Sequence, residues 1–219
     1  MVRHLQRELE KIKKRILSLG ALAEERVHRT AEALYNRDAG AARKIIESDW
    51  EIDEMEVEVE EECLKILALY QPVAVDLRFL VATIKINNDL ERIGDEAVNI
   101  SERVVTMARR PDPGFVFDYM PMAEKVQTML KMSLDALVNL DVDMAYKVLT
   151  MDDEVDAIQK DAYDKIKEAI KQKPDRVGYL VNLLLISRHL ERTGDHCTNI
   201  AEEVIYLIEG EIIRHGKYE

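Results

Sequence analysis

The sequence predicts an all-α protein built as two tandem three-helix bundles. Composition gives the first reason. Of 219 residues, 47% are hydrophobic and 34% charged, and only 8 are Gly and 5 Pro, the profile of a soluble helical chain. Periodicity gives the second: Leu90, Ile93, Ala97, Ile100 and Val104 recur at three- and four-residue spacing and form one apolar stripe. The third is a duplication. Asn88-Asp89-Leu90-Glu91-Arg92-Ile93-Gly94-Asp95-Glu96-Ala97-Val98-Asn99-Ile100 returns about one hundred residues later as Arg188-His189-Leu190-Glu191-Arg192-Thr193-Gly194-Asp195-His196-Cys197-Thr198-Asn199-Ile200.

Taken in order, a first helix is expected from about His4 to Asn36. Asp38 is a suitable N-cap for a second, which runs to Tyr70, because Gln71 precedes Pro72 and is pushed out of the right-handed α region. The third spans about Val75 to Arg110. Pro111-Asp112-Pro113-Gly114 is the clearest break in the chain. A fourth helix covers Tyr119 to Asn139, and Asp141 caps a fifth that reaches Lys173. Pro174 and Asp175 start a sixth, ending near His215.

The duplication reaches the earlier helices. Ala33 to Asp38 aligns with Ala136 to Asp141, and Ala42, Lys44, Asp49, Glu51 and Asp53 align with Ala145, Lys147, Asp152, Glu154 and Asp156. The repeating unit is therefore three helices, with domains at 1–110 and 117–219. A helix cannot bury its apolar stripe alone, and three short-linked helices can.

Each unit carries two acidic pairs four residues apart, a spacing that stacks side chains on one helix face. They are Asp49/Asp53 and Glu91/Asp95 in the first unit, Asp152/Asp156 and Glu191/Asp195 in the second. Such neighbours repel by a few tenths of a kcal/mol. A Gly between the members of two pairs (Gly94, Gly194) costs about 1 kcal/mol more in a helix interior. A bound cation offsets the repulsion, and a Gly lets another helix approach. Carboxylate oxygens suit hard cations such as Mg²⁺, Ca²⁺, Mn²⁺ and iron, and carboxylates bridge two ions readily, so a multinuclear centre is within reach. The plainer reading makes these acids solvated faces or partners of Lys and Arg. The Glu91 row lies roughly 160° from the apolar stripe, which puts the site at a bundle edge open to water.

Other polar residues point less clearly. His189 and His196 flank the second pair, either as further ligands or as exposed side chains on a charged helix. Arg92 and Arg192 read as salt-bridge partners, with a capacity for phosphate oxygens. Trp50 reads as a packing residue. Glu25-x-x-His28 is the one motif of the kind that buried di-iron sites use, and the second unit has Lys131 at the matching place.

A net charge of −12 argues against nucleic acid as a partner. Cys63 and Cys197 stand alone in apolar helical pattern and read as buried thiols. No hydrophobic signal core follows Met1, and no apolar run approaches the roughly 20 residues of a bilayer span, so a cytoplasmic location is expected, with membrane contact only through partners.

The run Gln71-Pro72-Val73-Ala74-Val75-Asp76-Leu77-Arg78-Phe79, continuing through Lys85-Ile86-Asn87-Asn88-Asp89-Leu90-Glu91-Arg92-Ile93-Gly94-Asp95, resembles the signature of the PhoU family. His189 to His196 is similar to the family's second repeat, and the likeness covers essentially the whole chain. The resemblance implies a regulator of phosphate uptake. It would act with the ATPase subunit of the phosphate ABC transporter and a phosphate-sensing histidine kinase, holding starvation genes off when phosphate is plentiful. It also implies a homodimer, and metal binding through Asp/Glu-x-x-x-Asp pairs, which map onto Asp49/Asp53, Glu91/Asp95, Asp152/Asp156 and Glu191/Asp195. Family members are described with iron, zinc and other divalent ions, which leaves the metal open. The third rung of each acidic row on the repeated helix is Asn99 or Asn199, which lowers the charge of each site. No nucleophile–base arrangement and no phosphate-cradling Gly loop is visible, so binding rather than turnover is expected. The alternative is a metal-dependent helical-bundle oxidase or phosphatase, motivated by Glu25-x-x-His28 and the histidines near residue 190.

Overall fold

A computed structural model describes residues 2–110 and 117–213. The helices are α1 (Val2–Asn36), α2 (Ala39–Glu47), α3 (Trp50–Tyr70), α4 (Ala74–Ala108), α5 (Met120–Asn139), α6 (Val142–Gln172) and α7 (Val177–Glu209), with a 3₁₀ turn at Pro174–Arg176 before α7. No strand occurs among the described residues. The Pro111–Gly114 break and His215 lie outside them. The last helix ends earlier than expected, at Glu209, where Gly210 takes the left-handed conformation (φ 79°) that closes a helix cheaply.

The two copies of the first turn fold alike. Arg37 and Leu140 each adopt φ 52°. The next amide, Asp38 N–H or Asp141 N–H, donates back to Ala33 or Ala136, closing a Schellman motif. Both aspartates then cap the following helix. Asp38 Oδ1 accepts from the Gly40 and Ala41 amides, and Asp141 Oδ1 from the Met144 amide.

The copies differ one helix later. The expected second helix is interrupted at Ser48–Asp49, giving α2 and α3, whereas α6 runs unbroken through the matching residues. Arg26 on α1 explains the difference. Its buried guanidinium donates to the carbonyls of Ile45 (3.1 Å) and Ser48 (3.0 Å) and to the Glu51 carboxylate (3.2 Å). The Ser48 hydroxyl also donates back to Lys44 O, a contact that bends helices. In the second unit the place of Arg26 is taken by Met129, fully buried and unable to donate.

Lys85 meets Glu203, Asp89 meets His196 and Asn199, and Glu96 meets His189. Numbers fall on α7 as they rise on α4, so these helices lie antiparallel, and the two units are related by a pseudo-twofold near Arg92 and Arg192. One contiguous apolar core runs through both units, from Leu19 and Ile45 to Ile166 and Val204. Cys63 and Cys197 sit buried within it as free thiols, and burial pushes the Cys63 thiol up to about 12. Among the described residues no helix is long and apolar enough to cross a membrane.

Candidate metal-binding clusters

Gly94 and Gly194 set the approach of the helices that carry the acids. A Cβ on Gly94 would lie 2.8 Å from Cδ1 of the fully buried Ile52, so the glycine admits α3 against α4. A Cβ on Gly194 would lie 3.4 Å from Asp152 Oδ1, so the second glycine faces a carboxylate directly. The eight predicted acids lie on or beside these paired helices: Asp49 just before α3 and Asp53 in its first turn, Glu91 and Asp95 on α4, Asp152 and Asp156 on α6, Glu191 and Asp195 on α7.

In the first unit all four share one electrostatic field. Burial raises the Asp49 carboxyl above its ordinary range, and the charges of Asp53 and Asp95 raise it further. Burial likewise raises Glu91, with Asp95, Asp53 and Glu56 adding to it against Arg92. Burial raises Asp95 too, opposed by Arg92 and reinforced by Asp53 and Glu96. Asp49 precedes α3 yet spends no carboxylate oxygen on capping it, which leaves the group to the cluster. Glu56 is a fifth member, raised by burial, Glu60 and Asp53. It sits three residues after Asp53 but faces Gln159 in the duplication, and a search for matched acids passes over it.

The second unit repeats this field. Asp152 is raised to about 6, first by burial and then by Asp195, Asp156 and Glu191. Burial, Asp195 and Asp156 raise Glu191, and burial and Asp156 raise Asp195 against His196 and Arg192. The clusters lie at the bundle surface: Asp53, Asp156 and Asp195 are exposed, and the other five are half-buried.

A cation fits this donor chemistry. One buried carboxylate oxygen in each cluster, Glu91 Oε2 and Asp152 Oδ1, makes no hydrogen bond. Arg92 Nε stands 3.6 Å from Glu91 Oε2, an ion pair too long to satisfy it. Orphaned buried oxygens within a self-repelling field are what a hard divalent ion neutralises. Among the described residues no group of three or more Asp, Glu, His or Cys side chains is already arranged as a ligand cage, so an ion would have to draw the carboxylates in.

The flanking residues serve the contact between units. His189 Nδ1 lies 2.6 Å from Glu96 Oε2, and Arg192 is 3.0 Å from Glu96 Oε1. His196 Nδ1 lies 2.9 Å from Asp89 Oδ1, which also accepts from the Asn199 amide at 3.0 Å. Asn199 thus spends its donor on the opposite unit. The His189–Glu96 and His196–Asp89 contacts pair the two positions of the repeat that carry an acid in the first unit and a histidine in the second. Glu25 and His28 are both exposed on α1, with Glu25 pairing Arg29 and His28 near Glu32, and they form no inward site. Trp50 is 60% exposed, so it does not pack in the core as expected.

The model of the PhoU domain matches the sequence twice, over residues 16–104 and 120–204. The chain belongs to the PhoU family. The PhoU homolog of Clostridium acetobutylicum, named a phosphate-specific transport system accessory protein, is 37% identical over 93% of both chains. That of Aquifex aeolicus is 36% identical over 96% of both. The crystal structure of PhoU from Pseudomonas aeruginosa superposes with a TM-score of 0.90 at 36% identity, covering 94% of this chain and 99% of that one. The phosphate transport system regulatory protein PhoU from Streptococcus pneumoniae gives 0.84 at 28% identity, over 95% and 98%. The duplication read from the sequence is therefore a tandem pair of PhoU domains, and the PhoU relatives are named as accessory or regulatory proteins rather than enzymes.

Proposed function

We propose that this chain is an accessory regulator of phosphate uptake that works by contact. The names of its relatives support the phosphate-transport role. In this reading it docks on the ATPase subunit of the phosphate ABC transporter and on a phosphate-sensing histidine kinase, and keeps starvation signalling off while phosphate is plentiful. It does so from the cytoplasm, as a homodimer, and meets the membrane only through these partners.

The carboxylate clusters are the binding centres of this regulator. Asp49, Asp53, Glu91 and Asp95 would hold an ion in one unit, and Asp152, Asp156, Glu191 and Asp195 in the other. The observation that carries this is the recurrence in both units of a buried, unbonded carboxylate oxygen inside a self-repelling acidic field. The ion would be iron, zinc, manganese, magnesium or calcium, singly or in a bridged group. It would supply positive charge that locks the paired helices and offers an open face to an oxyanion.

Elemental analysis of protein purified without a metal-affinity step tests the centres. Bound divalent metal is expected in the wild type and its loss in a double Asp95→Asn, Asp195→Asn variant, whereas equal metal in both refutes the assignment. Co-purification with the transporter ATPase and the kinase tests the docking role, and recovery of neither under phosphate-replete conditions would refute it.

A further inference from the structure

The pseudo-twofold places two cavities at equivalent ends of the molecule. Leu34, Arg37, Met107, Tyr179 and Leu183 line one of about 260 Å³. There the Phe117 and Tyr119 rings meet tilted at 47° with centroids 4.8 Å apart, the Tyr119 hydroxyl donates to Leu183 O, and Arg37 lies over the Tyr179 ring. The other, of about 470 Å³, has Leu137, Leu140, Leu207 and Phe79 at the matching positions and continues along α1 past Leu9. The same architecture can thus be filled by aromatic rings, yet this end keeps a larger apolar hole.

Its polar lining is Gln6, Glu10, Lys13, Asp76 and Arg78. Arg78 lines the cavity with a buried Nε that makes no hydrogen bond. The guanidinium lies against Gly210, whose built Cβ would be 3.7 Å from Arg78 Cζ, so contact with the end of α7 positions it at the wall. Lys13 adds a second cation, and Glu10 and Asp76 stand at the same rim. In the mate cavity the residue matching Arg78 is Gly178, whose space is taken by Arg110 from the end of α4. Arg110 does not line the mate cavity, where the cation is Arg37, held over the Tyr179 ring, whereas Arg78 lines the open one.

We propose that this cavity binds an anionic amphiphile, a molecule with an apolar body of about a dozen carbons and one carboxylate-type head. The volume falls in the range of small-molecule sites, and a largely apolar hole with a few placed polar groups is their usual chemistry. The body lies among Leu9, Phe79, Leu137, Leu207 and Ile208. The head takes the unsatisfied Nε of Arg78, whose planar fork suits a carboxylate. The rim acids Glu10 and Asp76 disfavour a second negative charge.

Calorimetric titration with dodecanoate, dodecanol and dodecylamine tests this on the full chain. Dodecanoate is expected to bind one to one and at least tenfold more tightly than the other two. Arg78→Gln is expected to abolish that preference while leaving dodecanol binding unchanged. Val75→Trp at the exposed mouth should weaken all three, and circular dichroism of both variants checks that they fold. No saturable dodecanoate binding, or equal binding of acid and alcohol to the wild type, overturns the proposal. The second result would make the hole a receptor for a partner's apolar side chain. Unchanged binding in both folded variants would place the ligand elsewhere and overturns it equally.

Discussion

The buried carboxylate of Glu96 on α4 meets Nδ1 of His189 on α7 at 2.6 Å, joining the two halves of a duplicated chain through residues the duplication did not copy. Burial alone would raise the Glu96 carboxyl, but the His189 hydrogen bond and the charges of His189, Arg192 and His196 take it below its ordinary range. Glu96→Ala is expected to cost about 2 kcal/mol, because His189 and Arg192 lose their acceptor but retain access to water. A urea-unfolding double-mutant cycle with His189→Ala measures the coupling, and additive losses would show that the contact contributes nothing. A carboxylate lowered by its partners stabilises above its unfolded pKa and loses that stability as the pH falls through the folded value. The coupling should therefore shrink on acidification below the carboxylate range.

Much of this architecture is legible in the sequence, for identifiable reasons. Asp38 and Asp141 announce their helices because capping is local chemistry, and the acidic pairs stand out because two copies carry them at matching places. What stays hidden depends on contacts distant in sequence. The break at Ser48–Asp49 needs Arg26, 22 residues upstream of Ser48, to take the freed carbonyls. Asp89 and Glu96 look like surface acids until α7 is laid across them. Glu56 escapes because its counterpart is Gln159.

The two cluster glycines should respond oppositely to alanine. In a helix interior Gly→Ala gains about 1 kcal/mol of propensity. At Gly94 the new Cβ would lie 2.8 Å from the fully buried Ile52, and overpacking of that kind costs about 1–3 kcal/mol. Gly94→Ala should therefore destabilise by up to about 2 kcal/mol. Gly194→Ala meets its nearest atom at 3.4 Å and should be neutral or up to about 1 kcal/mol stabilising. Denaturant midpoints of the two variants check the sign, and a stabilised Gly94→Ala would contradict the packing of Ile52.

Arg26→Met places in the first unit the residue that the second unit uses. The carbonyls of Ile45 and Ser48 and the Glu51 carboxylate would lose their donor in a largely buried setting, at about 2 kcal/mol. Chemical denaturation measures the loss. A change under about 0.5 kcal/mol would show that the Ser48 side chain, not Arg26, sets the break.

Asp152 gives the second cluster a pH signature. Its carboxyl titrates at about 6 in the fold against an ordinary 3.8, so over that window the native state holds more protons than the unfolded chain. Its contribution to stability therefore falls as the pH rises from about 4 to 6 and is least favourable above 6. Asp152→Asn removes that penalty. For this half-buried group, solvent screening leaves about 1 kcal/mol of the larger value that the shift alone implies. Without metal the variant should thus melt a few degrees above the wild type at pH 7.5, with the difference vanishing near pH 4. A divalent ion reverses the order, because it binds the ionised carboxylates and stabilises the wild type by mass action. Metal affinity should accordingly decline as the pH is lowered through 6. Melting curves with and without added Mn²⁺ decide the matter: a wild type no more stabilised by the ion than Asp152→Asn would remove Asp152 from the centre.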